Sequence, residues 1–222
     1  MIEFRNVSKS FRTPNGRKVV ADNLNLTIPS GVSVGLLGRN GAGKSTLMEM
    51  IGGRMRADAG DIITTGTVSW PVGFAGSFHG DMTGAQNVRF IARVYGVDTD
   101  ALAEFVEDFA ELGDHFQLPV RTYSAGMKSR LAFGMSIGIP FDTYLVDEVT
   151  SVGDAAFKLK GRMFFTDRMQ KSGAIVVSHS TEQLRLFCTA GVVLEDGRGT
   201  YFDDVSDAIA HYQNSLGTKV EQ

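Results

Sequence analysis

The sequence predicts an α/β fold with a mostly parallel buried sheet, an antiparallel β subdomain at the N-terminal end and a helical subdomain inserted into the middle. Three observations carry this expectation. The stretch "VSVGLLG" (32–38) is a nearly continuous apolar run ending in glycine, the pattern of a strand covered on both faces that opens into a loop. Two more short apolar runs, "YLVDE" (144–148) and "AIVVSHS" (174–180), return late in the chain, separated by the helical "AAFKLKGRMFFTDRM" (155–169). Between the first run and these two, apolar residues recur at helical spacing instead: Val88, Ile91, Ala92 and Tyr95, then Leu102, Phe105, Val106, Phe109 and Leu112.

The remaining elements follow in order. "MIEFRNVSKSF" and "NLNLTIP" alternate apolar and polar residues, as half-buried strands do, with "TPNGRK" (13–18) supplying turn residues between them. A helix is expected from about Lys44 and another in "SAGMKSRLAFGM" (124–135). "GVVLEDGRGTYF" (191–202) reads as two strands around a glycine turn, and "VSDAIAHYQNSL" (205–216) as a short capped helix. The expected organisation is a single domain over 1–222, with 1–74 and 136–222 forming the core and about 75–135 the helical subdomain. No internal repeat or long linker interrupts it, and no stretch is left over for an appended domain.

Composition narrows the function. A chain of 222 residues can bury a substantial core, and 43% hydrophobic with 21% charged residues is ordinary for a globular protein. A formal net charge of −3 gives no electrostatic footprint for nucleic acid. The single cysteine, Cys188, has no internal disulfide partner, and the opening residues lack the apolar stretch of a signal peptide, so a reducing cytosolic setting is expected. No apolar run approaches the ~20 residues needed to span a bilayer. A membrane role would therefore be borrowed from a partner chain.

The chemistry is carried first by "GRNGAGKST", Gly38 to Thr46, which fits the G-x-x-x-x-G-K-[ST] phosphate loop and stands between a predicted buried strand and a helix. Glycines let backbone N–H groups converge on phosphate oxygens, and the helix N-terminus adds its positive end. Lys44 is placed to reach the β and γ phosphates, and Ser45 to ligate Mg²⁺. This specifies the core as a P-loop NTPase. Asp147 and Glu148 end a predicted strand at the edge where sites in parallel sheets open, so Asp147 could hold the metal's water shell and Glu148 could orient or deprotonate the attacking water. Alone, two acids after a strand are an ordinary solvated turn. His179 closes another strand and could bond the γ phosphate or serve structurally. Phe11 could stack on adenine or pack in the core.

The order "GRNGAGKST", "YSAGM" (123–127), "YLVDE", "SVGD" (151–154) and then His179 resembles the ATP-binding subunit of ABC transporters over essentially the whole chain. In that family the signature turn faces the nucleotide held by a second copy. "YSAGM" is similar to it, with Ser124 and Gly126 at the two positions that touch the γ phosphate. The resemblance therefore implies ATP and Mg²⁺ bound between two copies arranged head to tail, with Gly38, Asn40, Gly41, Ala42, Gly43, Lys44, Ser45 and Thr46 cradling phosphate. It implies Asp147 and Ser45 on the metal, Glu148 and His179 positioning water, and "SVGD" along the seam. It also implies an integral membrane permease as second partner and a peripheral place on the cytoplasmic face of the membrane.

One departure is visible. The family carries a glutamine between the core and the helical lobe that reaches metal and water, and here that position falls near Phe74; the local Gln86 comes later, at a helix start. That departure, with the glycine-rich "WPVGFAGSFHGDMTGAQNVRF" (70–90), "ARVYG", "TYSAGMKSRLAFG" and "VDEVTSVGDAAFK", is similar to the ATPase subunits of capsular polysaccharide exporters. The resemblance implies that ATP hydrolysis powers polysaccharide export, with the polymer contacted mainly through the permease. An O-antigen or teichoic-acid exporter subunit, and a soluble P-loop ATPase outside transport, are the alternative readings. The chain is also shorter than O-antigen ATPases that carry a C-terminal carbohydrate-binding domain.

Overall fold

The computed structural model of the chain describes residues 1–14, 16–74, 76, 78–147 and 154–218. It divides into two compact units, one made of Met1–Ser69, Phe141–Glu148 and Met169–Gln222, the other of Trp70–Pro140 and Val149–Arg168.

The first unit begins with an antiparallel pair, β1 (Ile2–Thr13) and β2 (Gly16–Ile28), whose register runs from Ile2↔Ile28 to Thr13↔Gly16. Alternation places Ile2 and Phe4 on the buried face with Leu24, Leu26 and Ile28, and a register shift after Phe4 brings Val7 to it as well. The hairpin is longer than its turn signals indicated: Gly16, Arg17 and Lys18 belong to β2, because cross-strand pairing continues to Thr13↔Gly16. β4 (Ala59–Thr64) pairs on the other edge of β1 and was not foreseen. Its sequence, AGDIIT, is half-exposed and shows no apolar alternation.

A six-stranded sheet, in the same unit but for Trp70 and Pro71 of β5, has the order β5 (Val68–Pro71), β6 (Thr143–Asp147), β7 (Gly173–Val177), β3 (Ser33–Leu37), β8 (Ala190–Glu195), β9 (Arg198–Phe202). β6, β7, β3 and β8 run parallel, and β8 and β9 form an antiparallel hairpin. All five residues of β3 and of β7 are buried, which is why these strands read as unbroken apolar runs. The sheet core includes Val34, Leu36, Leu145, Ile175, Val177 and Val192 with Leu47, Met48 and Ile51 from α1 (Lys44–Ile51). Each such side chain contributes about 1.5–3 kcal/mol by leaving water. α6 (Thr181–Phe187) and α7 (Val205–Thr218) complete the unit. α6 buries only Leu184, too little to leave a periodic signal.

Parallel pairing sets the geometry of the site. The register Val34↔Ile175 and Asp147↔Val177 brings the carboxyl ends of β3, β6 and β7 out along one edge, where ligands of open α/β sheets bind.

The second unit is helical: α2 (Gly84–Tyr95), α3 (Thr99–Ala110), α4 (Ala125–Gly138) and most of α5 (Ala155–Lys171). α2 starts at a capping box, in which Thr83 Oγ1 accepts from Gln86 N at 3.1 Å and Thr83 N donates to Gln86 Oε1 at 2.9 Å. Val88, Ala92, Leu102, Val106 and Phe109 are buried as their spacing required, whereas Tyr95 is exposed and lies 5.2 Å from the Trp70 ring. Phe109 is the centre of an aromatic cluster, with Phe105, Phe133, Phe157 and Phe164 at centroid distances of 5.2 to 5.7 Å.

Candidate functional site

The loop 38–46 leaves β3 and enters α1 at the open edge of the sheet. Gly43 caps the helix at φ 108°, and a β-carbon there would overlap Val20 Cγ1, so only glycine lets the loop lie against β2. Gly38 is equally constrained, since a β-carbon would stand 2.6 Å from Leu194 O. The first turn of α1 has neither a side-chain cap nor an acidic residue, so its N–H groups keep their capacity for an anion. Lys44 Nζ donates to Gly38 O at 2.6 Å and Arg39 O at 3.2 Å, which holds the ammonium across the mouth of the loop.

These groups line a cleft of about 410 Å³. The hydroxyl-bearing Ser45 and Thr46 line it with Lys44, Asn40, Gly41 and Gly43. Asp147, the exposed last residue of β6, and His179, two residues beyond β7, reach it from the neighbouring strands. Phe11 borders the cleft 37% exposed, outside the hydrophobic core, with Lys9 Nζ 5.4 Å from its ring centroid. The backbone around His179 is braced, because Ser180 N donates to Ser178 Oγ at 3.0 Å and Ser178 Oγ donates to Gln183 Oε1 at 2.8 Å.

Gly38 and Ala42 shape the loop without lining this cleft; Ala42 faces a smaller one of about 280 Å³ beside it. Glu148 lies outside the described residues, as do Ser151, Val152 and Gly153. Lys18, Val20 and Val177 line the cleft although no motif pointed to them. The usable signal was the period of two along β2, which puts Lys18 and Val20 on one face.

Ser124 and Gly126 belong to the helical unit and are not among the residues lining this cleft. Ser124 is the N-cap of α4, its Oγ accepting from Met127 N at 3.2 Å. Space before Gly126 is open: a β-carbon would meet only Ser124 Oγ, 3.9 Å away. Thus an exposed helix N-terminus carries a hydroxyl and a glycine backbone, a set suited to an anion. Nearby, Asp154 is pinned: its Oδ1 accepts from Phe157 N at 2.9 Å and its Oδ2 from Arg130 at 2.7 Å. The Phe157 N–H bond first, and the Arg130 charge after it, hold the Asp154 carboxyl below the usual carboxylate range. Phe74, near which the family's glutamine was expected, is 38% exposed and its N donates to Pro71 O at 3.0 Å. An aromatic ring at that position has no oxygen to offer a metal.

A glycine loop joining a buried parallel strand to a helix, with lysine and hydroxyl on that helix and a carboxylate on the adjacent strand, defines a P-loop nucleoside-triphosphate-binding protein. Residues 21–151 match the ABC transporter family, and the chain belongs to that family. It is an ABC ATPase, which binds and hydrolyses ATP. Among its relatives, the polysialic acid transport ATP-binding protein KpsT of Escherichia coli is 48% identical over 219 residues, covering 97% of this chain and all of that one. The capsule polysaccharide export ATP-binding protein CtrD of Neisseria meningitidis serogroup B is 42% identical over 216 residues, again covering 97% and 100% of the two chains. The fold is shared with a dimeric ATP-binding cassette in a post-hydrolysis state bound to ADP and Pi, at a TM-score of 0.75 and 20% identity over 92% of this chain and 99% of the other.

Proposed function

We propose that this chain is the ATP-hydrolysing subunit that powers export of capsular polysaccharide across the cytoplasmic membrane through a separate transmembrane subunit. The observation that carries the reading is its end-to-end similarity, at 48% and 42% identity, to polysaccharide-transport ATP-binding proteins. The chemistry agrees. The cleft is built for the phosphate end of a nucleotide, and no helix among the described residues is long and apolar enough to cross a membrane. Translocation therefore needs a permease, and the chain works at the cytoplasmic face beside it.

The donor set fits Mg²⁺. Ser45 and Asp147 bring hard oxygens to one cleft, and the described residues hold no cluster of three or more His, Cys, Asp or Glu; one or two protein oxygens plus phosphates is how this ion is usually held. When bound, the ion neutralises phosphate charge. Lys44, now held by two loop carbonyls, exchanges them for the β and γ phosphate oxygens, while the free N–H groups of the α1 first turn bind the same anion. Phe11, exposed at the cleft's border, stacks on the base. Glu148, next in the chain after Asp147, accepts the proton of the attacking water, and His179 orients that water against the γ phosphate.

Ser124 and Gly126 complete the site of a second copy, which packs head to tail so that each nucleotide lies between one copy's phosphate loop and the other's signature turn. Preorganised donors arrive only on closure, so closing couples to the permease and hydrolysis resets it.

The test pairs two variants in the cell and in solution. Glu148→Gln is expected to bind ATP, to hydrolyse it at least about a hundredfold more slowly and to accumulate an ATP-bound dimer on size exclusion. Placed on the chromosome, it is expected to trap lipid-linked capsular polysaccharide in the cytoplasm. Lys44→Ala is expected to lose nucleotide binding and give no dimer. Normal surface glycan with an expressed, ATPase-dead variant would refute the transport reading, and a different trapped glycan would refute the capsular substrate.

A further inference from the structure

The β1–β2 hairpin carries a cation that the phosphate-loop chemistry does not use. Lys18 lies directly opposite Phe11 in the strand register, so the two side chains rise from the same face, and both line the cleft. Lys18 Nζ stands 3.1 Å from the position that a β-carbon on Gly41 would occupy, over the turn of the phosphate loop. Among the described residues it has no hydrogen-bond or ion-pair partner. It also borders the smaller cleft on the other side of the loop, where Glu195 and Asp196 stand, yet it pairs with neither.

An exposed lysine ordinarily keeps its ammonium in bulk water; here the head sits over backbone whose glycines are arranged for an anion. A nucleoside triphosphate brings several negative charges to this loop. Among the described residues, Lys44 is the only other lysine lining the cleft, and Asp147 there has the wrong sign for phosphate.

We propose that Lys18 is a second phosphate-binding residue, whose ammonium contacts phosphate oxygens of the nucleotide from the hairpin side while Phe11, beside it, takes the base. The inference rests on the nucleotide-binding reading of the cleft. It also explains a residue choice: a strand residue pointing at a glycine turn would serve packing as well with an aliphatic side chain, as Val20 does against Gly43.

The experiment measures fluorescence of mant-ATP and mant-ADP with the full-length chain, and displacement of mant-ATP by adenosine, for the unaltered protein, Lys18→Met and Lys18→Arg. Lys18→Met keeps the stem and removes the charge. It is expected to weaken both mant nucleotides about tenfold, the scale of one exposed charge-assisted hydrogen bond. Adenosine displacement should change less than about twofold, because the lost contact is to phosphate. Lys18→Arg should restore most of the affinity, and the difference between the unaltered protein and Lys18→Met should shrink as salt is raised. Equal loss for adenosine and ATP, or no loss with either mant nucleotide, overturns the role of Lys18 and leaves the nucleotide site intact. Failure of the unaltered protein to bind mant-ATP would overturn the nucleotide reading itself.

Discussion

Gly43→Ala perturbs the phosphate loop at a point where backbone and neighbour both exclude a side chain. At φ 108° an alanine sits outside the regions that L-residues favour, at a cost of about 1–2 kcal/mol. Its β-carbon would also overlap Val20 Cγ1 and stand 3.2 Å from Val20 Cβ. Val20 is buried at 2% exposure, and such overpacking costs about 1–3 kcal/mol. The sum, ~2–5 kcal/mol, corresponds to a fall in Tm of roughly 4–20 °C for a chain of this size. Urea unfolding followed by far-UV circular dichroism measures it, in the unaltered background and in Val20→Ala, which removes both γ-carbons. In the second background the backbone cost and the approach to the remaining β-carbon persist but the Cγ1 overlap is gone, so the penalty of Gly43→Ala should drop by about 1–3 kcal/mol. An identical penalty in both backgrounds would show that the Val20 contact does not dictate glycine here. A penalty under about 0.5 kcal/mol in the unaltered background would refute the conformational account as well.

Further predictions concern the two units separately. In the helical unit, Ser136 is fully buried; its Oγ accepts from Trp70 Nε1 at 2.9 Å and donates to Ala132 O at 2.8 Å. Ser136→Ala removes the hydroxyl that accepts from the indole N–H, so it should cost about 1–3 kcal/mol and shift the emission of the chain's single tryptophan; an unchanged spectrum and stability would count against that bond. Burial pushes the Cys188 thiol up to about 12, which leaves roughly 0.01% thiolate at pH 8, so Ellman's reagent should modify it only on unfolding. Rapid labelling of the native chain would contradict this. Asp142 accepts from Thr67 N at 2.7 Å and Thr67 Oγ1 at 2.8 Å, and those bonds hold its carboxyl below the usual carboxylate range. A folded-state value below the unfolded one means the stabilisation is present above about pH 4 and lost as pH falls through the folded value. Asp142→Asn should therefore flatten the acid limb of a Tm against pH curve, and an unaltered limb would assign that limb to other groups.

Much of the core was legible because its signals are local. The phosphate loop announces itself through glycines that only special backbone angles explain, and β3, β6 and β7 through apolar runs that only two-sided burial explains. The helices of the second unit were readable for the same reason: a period of 3.6 is a property of the chain segment itself. β4 was missed because AGDIIT stays half-exposed on an edge, and α6 because seven residues with one buried leucine carry no period.

What sequence by itself determined was thus the kind of chemistry: a loop for phosphate, a helix behind it, and acids and a histidine at strand ends. What tertiary structure decided was which of them meet. Asp147 and His179 reach the loop because β6, β7 and β3 are neighbours, and that order comes from parallel pairing, which joins β3 to β7 across more than a hundred residues of chain. Lys18 and Val20 enter the site because a hairpin of ordinary polar alternation lies across the loop. Pairing of distant strands depends on the packing of faces that each strand alone leaves unspecified, so a residue whose role comes only from its neighbour across such a pairing carries no mark in its own stretch of chain.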